Sequence, residues 1–143
     1  MKKIILALAI FTTISSYGQD IIDSNGDKIA TFSASGIIVD GANHALGEFS
    51  TNGEILNTEG EVIGSIVANE FKDPVGTVLG TIDSNNDVYD LNNSKIGSVQ
   101  AGLMVIDANN HVLGRASAPV DAAKLAAYFF FFFNNRFQFF FAW

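Results

Sequence analysis

Ile38-Val39-Asp40-Gly41-Ala42-Asn43-His44-Ala45-Leu46-Gly47-Glu48-Phe49 is one copy of a pattern that recurs along the middle of the chain. Its frame is apolar-x-Asp-x-x-Gly/Asn-x-x-apolar-Gly-x-apolar. Copies begin at Ile21, Ile38, Ile55, Phe71, Val88 and Val105, spaced by 17, 17, 16, 17 and 17 residues. The third position is Asp23, Asp40, Asn57, Asp73, Asp90 and Asp107, and the sixth is Gly26, Asn43, Gly60, Gly76, Asn93 and Asn110. The ninth is Ile29, Leu46, Ile63, Leu79, Ile96 and Leu113. The tenth is Ala30 and then Gly47, Gly64, Gly80, Gly97 and Gly114, and the last is Phe32, Phe49, Ile66, Ile82, Val99 and Ala116. Internal periodicity of this kind marks a repeat architecture.

Each column has a physical cause. An Asp or Asn that starts a tight turn bonds its side chain to backbone N–H groups further along. Gly or Asn three places later suits the left-handed backbone that closes a type I turn with a bulge. The flanking residues alternate, as in Val62-x-Gly64-x-Ile66, at the period of a half-buried strand. A glycine deep in a strand marks close approach by another backbone or side chain. A second turn separates the copies, at Ser33–Gly36, Ser50–Gly53, Ala68–Glu70, Asp83–Asn86 and Gln100–Gly102. Two strands and two turns per copy give an up-and-down meander with no room for crossover helices.

A repeated meander manages its edges by closing on itself. Pairing the second strand of each copy with the first of the next predicts hairpins near Asp27–Asp40, His44–Asn57, Glu61–Asp73, Val78–Asp90 and Ser94–Asp107. The strands left over, near Ile21 and Val112–Ala116, then close the circle. From Asp20 to about Tyr128 the chain resembles the secreted bacterial five-fold β-flower proteins, radial sheets of hairpin petals. The resemblance implies an all-β, closed, propeller-like meander of five to six petals. It implies no catalytic residue and no cofactor, since the family has no assigned activity.

The 143 residues include 8 Lys+Arg, 15 Asp+Glu, 2 His and no Cys, for a formal net charge of −7. Nearly half are hydrophobic, which argues against a disordered chain, and the length fits one compact domain. Absence of cysteine excludes disulfides, thiolate metal ligands and a thiol nucleophile. The acidic balance argues against nucleic acid as a partner.

Three segments are expected. Residues 1–18 read as a signal peptide: Met1-Lys2-Lys3 is basic, Ile4–Ile14 is apolar, and Ser16-Tyr17-Gly18 puts small residues before a cut at Gln19. Export places the protein in the periplasm, at the outer membrane or outside the cell. Residues 19–118 form the repeat domain. Residues 119–143 begin with Pro119 and Asp121, which open a helix read over Val120–Phe133, and end in the aromatic stretch Phe137–Trp143. At roughly 20 Å that helix is too short to span a bilayer. It either plugs the centre of the flower or anchors the protein to a membrane surface or a partner, and Asn134–Trp143 is also readable as a frayed end.

Chemical motifs are scarce. Asp83–Asp87 and Asp23–Asp27 resemble the openings of calcium loops, but Ser94 and Ala34 stand where the bidentate glutamate is needed. His44 and His111 share the seventh position and read as solvated. The six third-position Asp/Asn form a ring on one face, a weak candidate for a cation. No catalytic, cofactor-binding or metal residue is assigned, and no cofactor is expected. The function read from the sequence is an exported, non-enzymatic scaffold or binding module. The alternatives are an envelope protein tethered by its aromatic tail and a secreted hydrolase with a site assembled across petals.

Overall fold

Every copy of the repeat opens with the same turn, and the turn is built from the side chain at its third position. In the first copy the N–H groups of Asn25 and Asp27 both donate to Asp23 Oδ1, at 2.9 and 3.0 Å. The pattern repeats at Asp40, Asn57, Asp73, Asp90 and Asp107. Backbone bonds complete it: Gly26 N–H donates to Asp23 O, and Asp23 N–H to Asp27 O. The sixth position has positive φ in all six copies: 87° at Gly26, 67° at Asn43, 81° at Gly60, 94° at Gly76, 65° at Asn93 and 67° at Asn110. This is the left-handed conformation that the column of Gly and Asn predicts.

The computed structural model describes residues 18–133. The expected signal peptide, apart from Gly18, and the stretch Asn134–Trp143 lie outside the described residues. Among the described residues there are twelve strands: β1 (Gln19–Asp23), β2 (Lys28–Phe32), β3 (Ile37–Asp40), β4 (Ala45–Phe49), β5 (Glu54–Leu56), β6 (Val62–Val67), β7 (Glu70–Lys72), β8 (Val78–Ile82), β9 (Asp87–Asp90), β10 (Lys95–Gln100), β11 (Met104–Asp107) and β12 (Val112–Ala116). Each pairs antiparallel with the next, and β1 pairs with β12 through Ile21↔Ala116, Ile22↔Arg115 and Asp23↔Gly114. The meander is therefore a closed barrel. Ser117 N–H donates to Asp20 O at 2.8 Å and Asp20 N–H to Ser117 Oγ at 2.9 Å, which ties off the seam. Counted by their Asp turns there are six hairpins, one per motif copy.

The turns at the other rim vary more. Gly36, Gly53 and Asn86 each close a turn with positive φ, whereas Ala68 and Asn69 both take it (51° and 70°). Four residues separate Ile66 from its partner Phe71, one fewer than the five between Phe32 and Ile38, which accounts for the single spacing of 16. Carbonyls of these turns hold the following hairpin: Phe49 N–H donates to Gly36 O at 2.8 Å and Ile66 N–H to Gly53 O at 2.8 Å.

A β-bulge in every hairpin corrects the simple alternation. Ile55 pairs with Gly64 but Leu56 pairs with Val62, so Ile63 is the extra residue. The same skip falls on Ile29, Leu46, Leu79, Ile96 and Leu113. An inserted residue reverses the in–out order beyond it. Val62 is thus exposed, although alternation through Gly64 and Ile66 would turn it inward. The bulge residues pack against the core. First-position residues Ile21, Ile38, Ile55, Phe71, Val88 and Val105 are fully buried, and Phe32, Phe49, Ile82, Val99 and Ala116 nearly so.

The expected C-terminal helix is present, over residues 122–132 within the span read as Val120–Phe133, and it changes type part-way. Only Ala122–Ala126 (α1) is α-helical, with Asp121 Oδ1 accepting from Ala123 N–H at its start, and Ala127–Phe132 (π1) is a π-helix. The cause lies in what the segment packs against, described below.

Two glycine substitutions separate backbone strain from crowding. A Cβ on Gly60 meets nothing within 4 Å. Gly60→Val is therefore expected to cost only the strain of a β-branched residue at positive φ, on the order of 1–2 kcal/mol. A Cβ on Gly64 runs into the Phe132 ring and Lys72 O. Chemical denaturation should show Gly64→Ala to be the costlier of the two despite its smaller side chain.

Candidate functional site

The barrel axis is the first place to look for a site. About eight strands make a barrel that its own side chains just fill, and twelve leave a wider lumen. Here the wall is bare where the lumen needs filling, because the tenth position is glycine in five copies. The chain fills that lumen itself. After β12 it crosses the rim of variable turns, where Val120 N–H donates to Gly102 O at 3.0 Å. It then turns inward through α1 and π1, burying Leu125, Ala126, Ala127, Tyr128, Phe129, Phe130 and Phe132.

The rings are distributed one to each hairpin. A Cβ on Gly114 would strike the ring of Phe129, on Gly97 that of Phe130, on Gly80 that of Phe131, on Gly64 that of Phe132 and on Gly47 that of Phe133. Tyr128 lies against Phe32 in the first hairpin, ring centroids 5.6 Å apart. Six consecutive side chains therefore visit six hairpins in reverse order. Tyr128 closes the wheel by packing on both Phe129 (5.1 Å) and Phe133 (6.0 Å). An α-helix turns about 100° per residue, whereas one hairpin per residue needs about 60°, so the backbone unwinds into wider turns. Each glycine faces its first-position partner across the pair, and Phe131 over Gly80 stacks on Phe71 at 4.5 Å.

The Asp-turn rim holds most of the residues that sequence reasoning singled out. The third-position ring is there, but each Oδ1 is already taken by two N–H groups of its own turn. The calcium-like stretch Asp83–Asp87 is on the opposite rim and does the same: Asp83 Oδ1 accepts from Asn85 and Asp87 at 2.9 and 3.0 Å. Among the described residues no three His, Asp or Glu side chains are grouped to hold a metal ion. His44 Nδ1 lies 3.5 Å from Asp40 Oδ2 and His111 Nδ1 3.3 Å from Asp107 Oδ2, with the imidazole side chains 79% and 75% exposed.

Backbone N–H of His44 is the main reason that the Asp40 carboxyl lies below its ordinary 3.8. Asp83 is lowered chiefly by the N–H of Asp87. At Asp107 burial pushes upward, but the N–H groups of His111 and Asn109 and the imidazole outweigh it, and the net shift is down. Burial, with the Asp40 charge behind it, pushes the Tyr128 phenol up to about 12.

Three features had no clear signal in the sequence. Val75 (85% exposed) and Leu91 (70%) stand out at neighbouring Asp turns, where the repeat only requires residues that do not disturb the turn. An open recess of about 190 Å³ lies on the other rim beside Phe32, Phe49 and Lys124, whose ammonium sits 5.7 Å from the Phe49 ring centre. The one-ring-per-hairpin match is the third.

A family model described as a 5-fold beta-flower protein matches residues 18–134. The chain belongs to the five-fold β-flower family. No curated protein and no solved structure matched. This β-flower departs from its family's description by closing with six petals. Its strands are 3–6 residues long, against about 9–11 for a strand that crosses a bilayer. Among the described residues no helix is long and apolar enough to cross a membrane.

The site geometry makes two predictions. Phe130→Ala leaves a hole over Gly97, and loss of a buried ring costs about 3–5 kcal/mol, readable by urea unfolding. pH acts at both ends of the scale. The lowered Asp40, Asp83 and Asp107 contribute stability that is present above the unfolded carboxyl range and is lost as pH falls through their depressed folded values. Asn57 shows that an amide builds the same turn, so Asp40→Asn with Asp107→Asn should fold and flatten the acid limb of a melting-temperature profile. The raised Tyr128 contributes stability up to the unfolded phenol value of about 10. That share is lost as pH climbs toward about 12, and Tyr128→Phe should abolish this part of the alkaline loss.

Proposed function

We propose that this β-flower is an exported, non-enzymatic scaffold or binding module that presents its turns to a partner. The observation that carries the reading is the filled axis: aromatic rings occupy the place where a barrel enzyme would hold substrate. The third-position side chains of the Asp-turn rim support the same reading, because each Oδ1 is spent on its own turn. What the framework leaves free to vary is the middle of each Asp turn: Asn25, Ala42, Glu59, Val75, Asn92 and Asn109 in the six petals. These positions carry polar, charged and apolar side chains on one repeated backbone, as a display surface requires.

Export follows from the basic and apolar leader before Gln19. Expression with the native leader in a bacterial host, followed by intact-mass measurement, should find a chain that begins at Gln19 or Asp20 outside the cytosol. Recovery of the full-length chain from cytosol alone would overturn this part. For the absence of catalysis, the purified protein is expected to give no turnover on chromogenic ester, glycoside and peptide substrates. Turnover abolished by His44→Ala or His111→Ala would establish the hydrolase reading instead.

A further inference from the structure

We infer that the run Tyr128–Phe133 counts the petals: the lumen is a row of six slots for consecutive aromatic side chains, and the number of rings sets the number of hairpins that close. Three independent observations support this. First, the rings are not a mixed apolar filling, since each of Phe129–Phe133 lies over the tenth-position glycine of a different petal, in unbroken order from Gly114 to Gly47. Second, the backbone leaves the α-helical path over Ala127–Phe132 for wider π-helical turns, which shortens the angular step per residue toward the one that one residue per petal needs. A segment that merely buried apolar area would keep its α-helical hydrogen bonds, and the step of about 100° would carry successive side chains past neighbouring petals instead of to one after another. Third, the aromatic run is as long as the ring of petals. It begins at Tyr128, on the first petal, and ends at Phe133, after which Asn134 interrupts it.

The energetic logic runs through closure. A single hairpin is marginal in water, and the seam between β1 and β12 brings together strands from the two ends of the repeat domain. A wheel of rings gives every petal the same apolar partner, so the ring closes when petals and slots agree. One ring too few leaves the glycine of the second petal, Gly47, without the ring that packs on it. One petal too few leaves a ring with no slot of its own.

A cycle of four full-length chains tests this. One change removes a repeat, by deleting the 17 residues Val39–Ile55 so that Ile38 joins Leu56 at an equivalent position. The other deletes one phenylalanine from Phe129–Phe133. The expected result is that the five-petal, five-ring chain unfolds cooperatively and melts above both mismatched chains. The inference is overturned if its melting temperature lies at or below that of the more stable mismatch, or if it fails to fold. Hydrogen exchange on six-petal chains gives a second reading. Phe131→Leu should speed exchange by about tenfold or more in β7 and β8, and Phe129→Leu in β11 and β12. The same pattern from both substitutions would also overturn it.

Discussion

An aromatic ring resting on bare backbone is the contact on which the rest of this molecule depends. A twelve-stranded ring of very short strands encloses more space than its own inward side chains fill. The tenth-position glycines widen that space further, and each also lets a neighbouring strand's carbonyl approach, as Ile106 O does at Gly97. Glycine in a strand weakens it by itself. Here the loss is offset from the axis, because fully burying one phenylalanine is worth roughly 1.5–3 kcal/mol. Several rings together therefore supply a share comparable to the net stability of a whole domain, about 5–15 kcal/mol.

This division of labour separates the core from the rims. Stability comes from the wheel, the first-position residues and the bulge residues, all turned inward. The turns need only their Asp or Asn at one corner and their Gly or Asn at the other. Among the described residues no buried side-chain nitrogen or oxygen lacks a hydrogen-bond partner. Residues between the turn corners are free of the core. That is why Val75 and Glu59 occupy equivalent places without consequence for the fold.

Much of this was legible before any coordinates. The Asp and Gly/Asn columns are local backbone chemistry, which a sequence states directly, and the positive φ values at Gly26, Gly60 and Gly76 follow from it. Closure by β1 and β12 was legible because one strand was left over at each end. The further bulge within the strand was not: Ile63 beside Gly64 reads as an ordinary apolar neighbour, and only the pairing of Leu56 with Val62 shows the extra residue. The glycine column announced close approach by something, but not that Phe129–Phe133 would arrive one to a petal. That match is a relation between segments far apart in the chain, and the helical reading of Val120–Phe133 concealed it. The equal count of six repeats and six aromatics from Tyr128 was the signal that would have found it. The rim recess beside Lys124 depends on where α1 lands and leaves no trace in any motif.

The central claim is that the petals do not hold together without the wheel. Thermal unfolding of a chain that ends at Pro119, followed by circular dichroism beside the full-length protein, tests it most directly. The account predicts that the truncated chain loses its cooperative transition or aggregates. A truncated chain that unfolds cooperatively with an unchanged midpoint would contradict it, and would make the aromatic segment an attachment to something else.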